Sequence, residues 1–226
     1  MKNHDRHWLR LFFDLDGTLL DTAADIKDCL EKALAAHGFP ISEEQRTLPI
    51  GPPLDVLLHN LYPTASETER GRVIQTFRGL YDTSDYPQTV PYPGISDLLA
   101  ELALSCDLYI ATNKVYLPTQ RLVKKFGWGS FFVEVLTPDR FGQPCLSKTE
   151  LIQLVLKDQE ALQNPSVLIG DYASDVLTAH ATQLSSVAVT WGYDSLDHLK
   201  AAKPDTIVET TDALHSWIRA RKRGVQ

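Results

Sequence analysis

Short apolar segments alternate with segments of helical periodicity over most of this chain of 226 residues. From residue 96 onward, the pattern predicts helices and strands in turn. The predicted strands are 107–112, 131–136, 166–170, 186–190 and 206–209, and the predicted helices are 96–104, 118–126, 148–158, 174–182 and 211–221. Strands that alternate with helices run parallel, because each helix returns the chain to the same edge of the sheet. The alternation therefore predicts a doubly wound α/β core with helices on both faces of a parallel sheet.

One further strand is predicted at 9–13, ahead of a long segment with a different character. Residues 22–85 show helical periodicity and two matches to the capping-box pattern, Ser42 to Gln45 and Ser66 to Glu69, with no strand-like alternation. We expect strand 9–13 to join the sheet and the helical segment to form an insert after it. The predicted domains are a Rossmann-like α/β core of residues 1–20 and 90–226 and a small all-helical domain of residues 21–89.

The composition excludes several classes of protein. Hydrophobic residues make up 43% of the chain, which is enough for a folded core, and the net charge is −7. An acidic protein is a poor partner for nucleic acid or anionic membrane, because both attract basic surfaces. No apolar segment reaches the ~20 residues of a membrane helix, and no signal peptide is recognised. The spacing of Cys29, Cys106 and Cys145 favours reduced thiols. We expect a cytoplasmic monomer or homodimer.

Acidic side chains follow two of the predicted strands. Asp14 and Asp16 follow the first strand, and Asp171 and Asp175 follow a later one. Ligands of an open parallel sheet bind beyond the carboxyl ends of its strands, so we expect these carboxylates to converge at one edge. Their mutual repulsion calls for a cation, and a site of oxygen ligands favours Mg²⁺ over Zn²⁺.

Other polar residues are expected at the same edge. Thr112 and Asn113 end another predicted strand, and Lys148 begins a predicted helix. Together with a Mg²⁺ ion, which commonly binds substrate phosphate, they indicate a phosphate site. Each residue alone also fits an ordinary turn or helix cap. A calcium loop beginning at Asp14 is disfavoured, because Gly17 occupies its fourth position and not the sixth.

Four segments, in this order, resemble the four motifs of the haloacid dehalogenase superfamily. They are Phe13-Asp14-Leu15-Asp16-Gly17-Thr18-Leu19, Ala111-Thr112-Asn113-Lys114, Lys148, and Gly170-Asp171-Tyr172-Ala173-Ser174-Asp175. The helical insert is similar to the small cap domain of that superfamily, which closes over the site and supplies specificity. Three more segments are similar to its phosphoglycolate phosphatase group: Ile50-Gly51-Pro52-Pro53-Leu54, Tyr92-Pro93-Gly94, and Val189-Thr190-Trp191-Gly192-Tyr193.

The resemblance implies a phosphatase that works through an aspartyl-phosphate. It implies Asp14 as the nucleophile and Asp16 as the general acid and base, with Thr112 and Lys148 completing the catalytic group. The implied Mg²⁺ ligands are Asp14, Asp16 (through its backbone carbonyl), Asp171 and Asp175. The implied substrate-binding residues are Thr18, Thr112, Asn113, Lys148, Gly51 and Pro52. The dehalogenase and phosphonatase branches lack an acid at position 16, so its presence favours ester hydrolysis.

Several alternatives stay open. The third motif is Ser147-Lys148-Thr149 and not the commoner Lys-Pro form, so Lys114 is an alternative for the charge role of Lys148. The substrate is expected to be a small phosphorylated metabolite, with 2-phosphoglycolate the first to test. Phosphatases of nucleotide or sugar monophosphates, a phosphomutase and a non-catalytic binding protein are the alternatives, and a binding protein has no need of Asp16. Segment 51–53 also fits a simple helix start. Trp191 and Tyr193, just past a predicted strand end, fit packing or the substrate entrance.

Overall fold

The computed structural model describes residues 9–39, 41, 50–51, 53–140, 142, 145–157 and 165–224. The chain divides into two compact units, an α/β unit of Met1–Leu20 with Pro91–Gln226 and a helical unit of Asp21–Val90. Val90, which the sequence analysis assigned to the core, is grouped with the helical unit. The predicted substrate residue Pro52 and the capping-box segment 42–45 lie outside the described residues.

The secondary structure follows the predicted alternation. In chain order, the strands are β1 (Arg10–Phe13), β2 (Leu20–Asp21), β3 (Val90–Pro91), β4 (Asp107–Ala111), β5 (Phe132–Leu136), β6 (Ser166–Gly170), β7 (Ser185–Val189) and β8 (Thr206–Val208). The helices are α1 (Ala23–Ala36), α2 (Leu54–Leu61), α3 (Glu67–Tyr81), α4 (Ile95–Leu102), α5 (Tyr116–Lys125), α6 (Lys148–Leu156), α7 (Ala173–Ala181), α8 (Leu196–Ala201) and α9 (Thr211–Gly224).

The α/β unit is built around a parallel sheet with the strand order β5-β4-β1-β6-β7-β8. The predicted class, a doubly wound α/β fold, is confirmed. Strand β1 lies inside the sheet and is buried along its whole length, as the apolar run Leu11–Phe13 favours. Phe12 stacks on Tyr109 of the neighbouring strand β4, with ring centroids 4.8 Å apart.

The register of three neighbouring strands determines where the polar residues emerge. Phe13 of β1 pairs with Ile110 of β4 and with Ile169 of β6. The carboxyl ends of these parallel strands are therefore level. As a result, Asp14 and Asp171 leave the sheet at the same edge.

Three short elements were not predicted from the sequence. Strands β2 and β3 pair in a separate two-stranded sheet, and each has two residues. Helix α8 has six residues, which is less than two turns. Elements of this length show no measurable periodicity, so a sequence pattern cannot reveal them.

The helical unit contains α1, α2 and α3. The predicted capping box at the start of α3 is confirmed, because the Glu69 backbone N–H donates to Ser66 Oγ (3.3 Å) and the Ser66 N–H donates to Glu69 Oε2 (2.8 Å). Asp25 of α1 is buried, and its carboxylate accepts hydrogen bonds from the Thr89 hydroxyl (2.6 Å) and the Gln88 N–H (3.1 Å). These hydrogen bonds join residues 88–89, near the C-terminal end of the helical unit, to α1.

The described residues contain no helix that is long and apolar enough to cross a bilayer. Cys29 and Cys106 are buried, and Cys145 is exposed. Burial raises the pKa of both buried thiols, which keeps them protonated and unreactive.

Candidate active site

Three carboxylates meet at the edge of the sheet where β1 and β6 end. Asp14 follows β1, Asp171 follows β6, and Asp175 lies in the first turn of α7. One oxygen from each carboxylate lies within 4.8 Å of the others, and all three residues are buried. The cluster contains three of the four predicted metal ligands.

Lys148 is the cation within this cluster. It is the first residue of α6, whose start is held by a capping box between Ser147 and Glu150. Its side chain is 7% exposed, and Nζ lies 2.9 Å from Asp14 Oδ1 and 2.5 Å from Asp175 Oδ1. One buried ammonium therefore bridges the predicted nucleophile and a predicted metal ligand.

The charges in the cluster do not balance. Burial raises the pKa of Asp14 to about 7, against the opposing effect of Lys148. Burial, together with the charge of Asp14, also raises the pKa of Asp171 well above its usual range. Burial disfavours the charge of Lys148, but Asp14 and Asp175 outweigh it and raise the pKa of that ammonium. Three ionised carboxylates and one ammonium leave a formal charge of −2, which is the charge that a divalent cation neutralises.

Asp16 has a different environment from the cluster. Its Oδ2 atom lies 3.2 Å from Lys114 Nζ, and the side chain of that lysine is 6% exposed. The two lysines that the sequence analysis offered as alternatives therefore contact different carboxylates. Lys148 contacts the predicted nucleophile, whereas Lys114 contacts the predicted acid and base.

The predicted phosphate-binding residues occupy two kinds of position. Thr112 is buried at the end of β4, and its hydroxyl accepts a hydrogen bond from the Lys114 N–H (3.1 Å). Asn113, next to it, is exposed. Thr18 is fully buried, and its hydroxyl donates to Asp171 Oδ1 (2.8 Å). Its side chain thus orients a carboxylate of the cluster.

Gly51, a predicted substrate residue, belongs to the helical unit. It is exposed there and has a φ of +131°. Such a φ favours glycine, so backbone conformation alone accounts for this residue type.

Three glycines allow the backbone to approach the carboxylates closely. A Cβ atom at Gly17 or at Gly192 would overlap Asp171, and one at Gly170 would overlap Asp175. Gly17 also has a φ of +82°, a conformation that side-chain-bearing residues rarely adopt. Glycine is thus required at these positions by the packing around the acidic cluster.

Sequence reasoning missed the hydrogen bonds that join the loop after β7 to the site. The Tyr193 N–H donates to Asp171 Oδ2 (2.8 Å), and the Trp191 indole N–H donates to the Thr18 carbonyl (3.1 Å). The sequence analysis noted segment 189–193 for its resemblance to a family and considered packing or the substrate entrance, but not a contact with Asp171. A backbone N–H has no sequence signature. Gly192, whose lack of a side chain makes room for Asp171, was the available sign of this contact.

Comparison with known proteins places the chain in a family. A family profile described as haloacid dehalogenase-like hydrolase matches residues 11–189. The "Probable phosphatase IndB" of Dickeya dadantii is 31% identical, over 88% of this chain and 89% of that protein. The phosphoglycolate phosphatase of Vibrio parahaemolyticus is 28% identical, over 89% of this chain and 92% of that protein. The crystal structure of a predicted phosphatase from Clostridium acetobutylicum has a TM-score of 0.82 at 27% identity, covering 95% of this chain and 100% of that one.

The chain belongs to the haloacid dehalogenase-like hydrolases. The family that the sequence motifs suggested is confirmed, and the chain is an enzyme of the hydrolase class.

The packing around Asp171 predicts the effect of a single added methyl group. Gly192→Ala forces Asp171 or its loop to move, because the new Cβ overlaps that side chain. We expect the free energy of unfolding to fall by about 1–3 kcal/mol, which is the usual cost of adding a methyl group to a well-packed site. Urea unfolding followed by circular dichroism measures this change.

Gly129→Ala is the matched control, since a Cβ there meets nothing within 4 Å. We expect it to change stability by no more than about 0.5 kcal/mol. Equal stability of the two variants would contradict the proposed crowding.

Proposed function

We propose that this phosphatase hydrolyses a small phosphorylated metabolite through an aspartyl-phosphate on Asp14, with Mg²⁺ as its cofactor and 2-phosphoglycolate as its first candidate substrate. The observation that carries the proposal is the position of Asp14 against Lys148, beside two more buried carboxylates. Relatives named as phosphatases support the reaction class.

The residues present fit a Mg²⁺ ion. Asp14, Asp171 and Asp175 supply oxygen ligands, which hard divalent cations prefer. At 4.8 Å, the largest separation of these oxygens, and an effective dielectric near 20, a pair of ionised carboxylates repels by about 3.5 kcal/mol. In this proposal the three carboxylates and the Asp16 carbonyl hold the ion, which would supply charge neutralisation and orient the phosphate.

Asp14 is the proposed nucleophile. One of its carboxylate oxygens attacks phosphorus, and the bond from phosphorus to the ester oxygen breaks, which leaves an aspartyl-phosphate. The Lys148 ammonium, 2.9 Å from Oδ1, favours the ionised and reactive form of Asp14. The same ammonium offsets charge on the incoming phosphate, since phosphoryl transfer depends mainly on positioning and charge neutralisation.

Asp16 is the proposed general acid and base. It gives its proton to the departing ester oxygen and then takes a proton from water, which attacks the aspartyl-phosphate and regenerates Asp14. The Lys114 ammonium lies 3.2 Å from Asp16 Oδ2 and restrains the orientation of this carboxylate. Asp16 therefore contacts Lys114, whereas the proposed nucleophile Asp14 contacts Lys148.

Phosphate binding is assigned to Thr112, Asn113 and Lys148. The Thr112 hydroxyl accepts a backbone N–H bond, which leaves its own hydrogen for a phosphoryl oxygen. Substrate choice is assigned to the helical domain of residues 21–89, including Gly51 and Pro52. The acidic net charge of the chain suits a small-molecule substrate over nucleic acid.

Substitution of the nucleophile tests the reaction. Asp14→Asn removes the attacking oxygen, so we expect hydrolysis of a generic aryl phosphate to fall by at least about 1,000-fold. Mass spectrometry after acid quenching should detect a phosphorylated peptide that contains residue 14 in the wild type only. Asp97→Asn, which alters an exposed carboxylate of the same unit, should retain activity. Survival of turnover in Asp14→Asn would exclude Asp14 as the nucleophile.

The affinity for Mg²⁺ is expected to depend on pH. In the ion-free site the pKa of Asp14 is raised to about 7, so below that pH a proton must leave before the ion binds. Isothermal titration calorimetry between about pH 5.5 and 8.5 should show affinity rising by at least about tenfold per pH unit below pH 7, and more steeply where Asp171, whose pKa is also raised, must lose a proton as well. Asp14→Asn should reduce this slope. A Mg²⁺ affinity that stays constant below pH 7 would contradict the assignment of Asp14 as a Mg²⁺ ligand.

A substrate screen separates the remaining possibilities. In an assay that measures released phosphate, kcat/KM should be highest for 2-phosphoglycolate among the small phosphorylated metabolites tested. Higher values for nucleotide or sugar monophosphates would overturn the substrate while leaving the mechanism intact. Strong dependence on a bisphosphorylated sugar would instead indicate a phosphomutase.

A further inference from the structure

The loop between β7 and α8 contacts Asp171 of the acidic cluster and also Thr18. The Trp191 indole N–H donates to the Thr18 carbonyl, and the Tyr193 backbone N–H donates to Asp171. The next residue, Asp194, makes another contact and has no role in the proposed reaction. Its Oδ2 atom accepts a hydrogen bond from the Ala173 N–H (2.9 Å).

We propose that Asp194 is a positioning residue, which holds the start of α7 and thereby sets the positions of Asp171 and Asp175. This inference rests on the proposed function, because those carboxylates are the proposed cation ligands. Asp194 itself is not a ligand in this proposal.

Asp194 acts as a helix cap supplied by a distant part of the chain. Ala173 is the first residue of α7, and its N–H is one of the donors that a helix leaves without an internal partner. The preceding Tyr172 has no short polar side chain that could cap it. Asp194 replaces the missing cap, and its negative charge is favoured at a helix N-terminus.

The first turn of α7 links this cap to the cluster. Asp171 lies two residues before Ala173, and Asp175 lies two residues after it. Asp175 Oδ2 also accepts a hydrogen bond from the Tyr172 N–H (3.2 Å). A shift at Ala173 would therefore move both carboxylates.

Asp194 also contacts the start of α8. Its side chain is 7% exposed, and Oδ1 accepts from the Ser195 N–H (2.8 Å) and lies 2.9 Å from His198 Nδ1. Both carboxylate oxygens are thus used. Groups that orient metal ligands typically change metal affinity by about 10–100-fold when they are removed.

The test measures Mn²⁺ binding to the ion-free protein by electron paramagnetic resonance, which does not depend on turnover. Asp194→Ala should weaken binding by about 10–100-fold. Asp194→Asn, which can keep an oxygen on the Ala173 N–H, should stay within about threefold of the wild type. The kcat at saturating Mg²⁺ should fall less than the affinity.

Ala173→Pro removes the same hydrogen bond from the donor side. Proline is accepted at the first position of a helix, and the ψ of 146° at Tyr172 suits a following proline. We expect a loss of Mn²⁺ affinity similar to that of Asp194→Ala. This variant decides the question if Asp194→Ala does not fold.

Asp205→Ala is the matched control. The Asp205 carboxylate accepts from the Ser186 N–H (2.8 Å) near the opposite end of the strands, away from the cluster. It should lower the thermal midpoint without changing Mn²⁺ affinity.

Three results would overturn the inference: unchanged affinity in Asp194→Ala, equal losses in Asp194→Ala and Asp194→Asn, or an equal loss in Asp205→Ala. Absence of Mn²⁺ binding to the wild type would instead remove the proposed cofactor site itself.

Discussion

The repulsion between the carboxylates of Asp14, Asp171 and Asp175 is the constraint on which the rest of the site depends. The parallel register of β1 and β6 brings the first two to one edge of the sheet, and the first turn of α7 adds the third. Burial then makes their charges costlier. The arrangement persists because Lys148 lies among them and because Thr18 and the loop after β7 donate hydrogen bonds to Asp171.

The two acids of the first motif contact different lysines. Asp14 is buried beside Lys148 and two carboxylates, and its pKa is raised to about 7. Asp16, two residues away, contacts Lys114 outside that cluster. Two carboxyl groups with different neighbours can take different roles in one reaction.

The sequence predicted much of this site because strand ends can be recognised from pattern. Asp14, Thr112 and Asp171 each follow a buried apolar segment, and in a parallel sheet such positions share an edge. Lys148 could be proposed from its place at a helix start. Its distance from the fourth motif favoured Lys148 over Lys114 for the charge role beside Asp14. The contact of Lys114 with Asp16 had no sequence signal, because it depends on how the loop after β4 packs. Asp194 could not be proposed at all, since its partner is the backbone of Ala173.

The sequence by itself determined the fold class and the family. Periodicity depends on local burial, and a motif such as Asp14-Leu15-Asp16-Gly17-Thr18 carries its chemistry in adjacent residues. Tertiary structure alone decided which lysine contacts which carboxylate and which backbone groups hold Asp171. It also decided which glycines make room for the carboxylates. These features join residues far apart in the chain through distances of a few ångströms, and a single sequence contains no record of such distances.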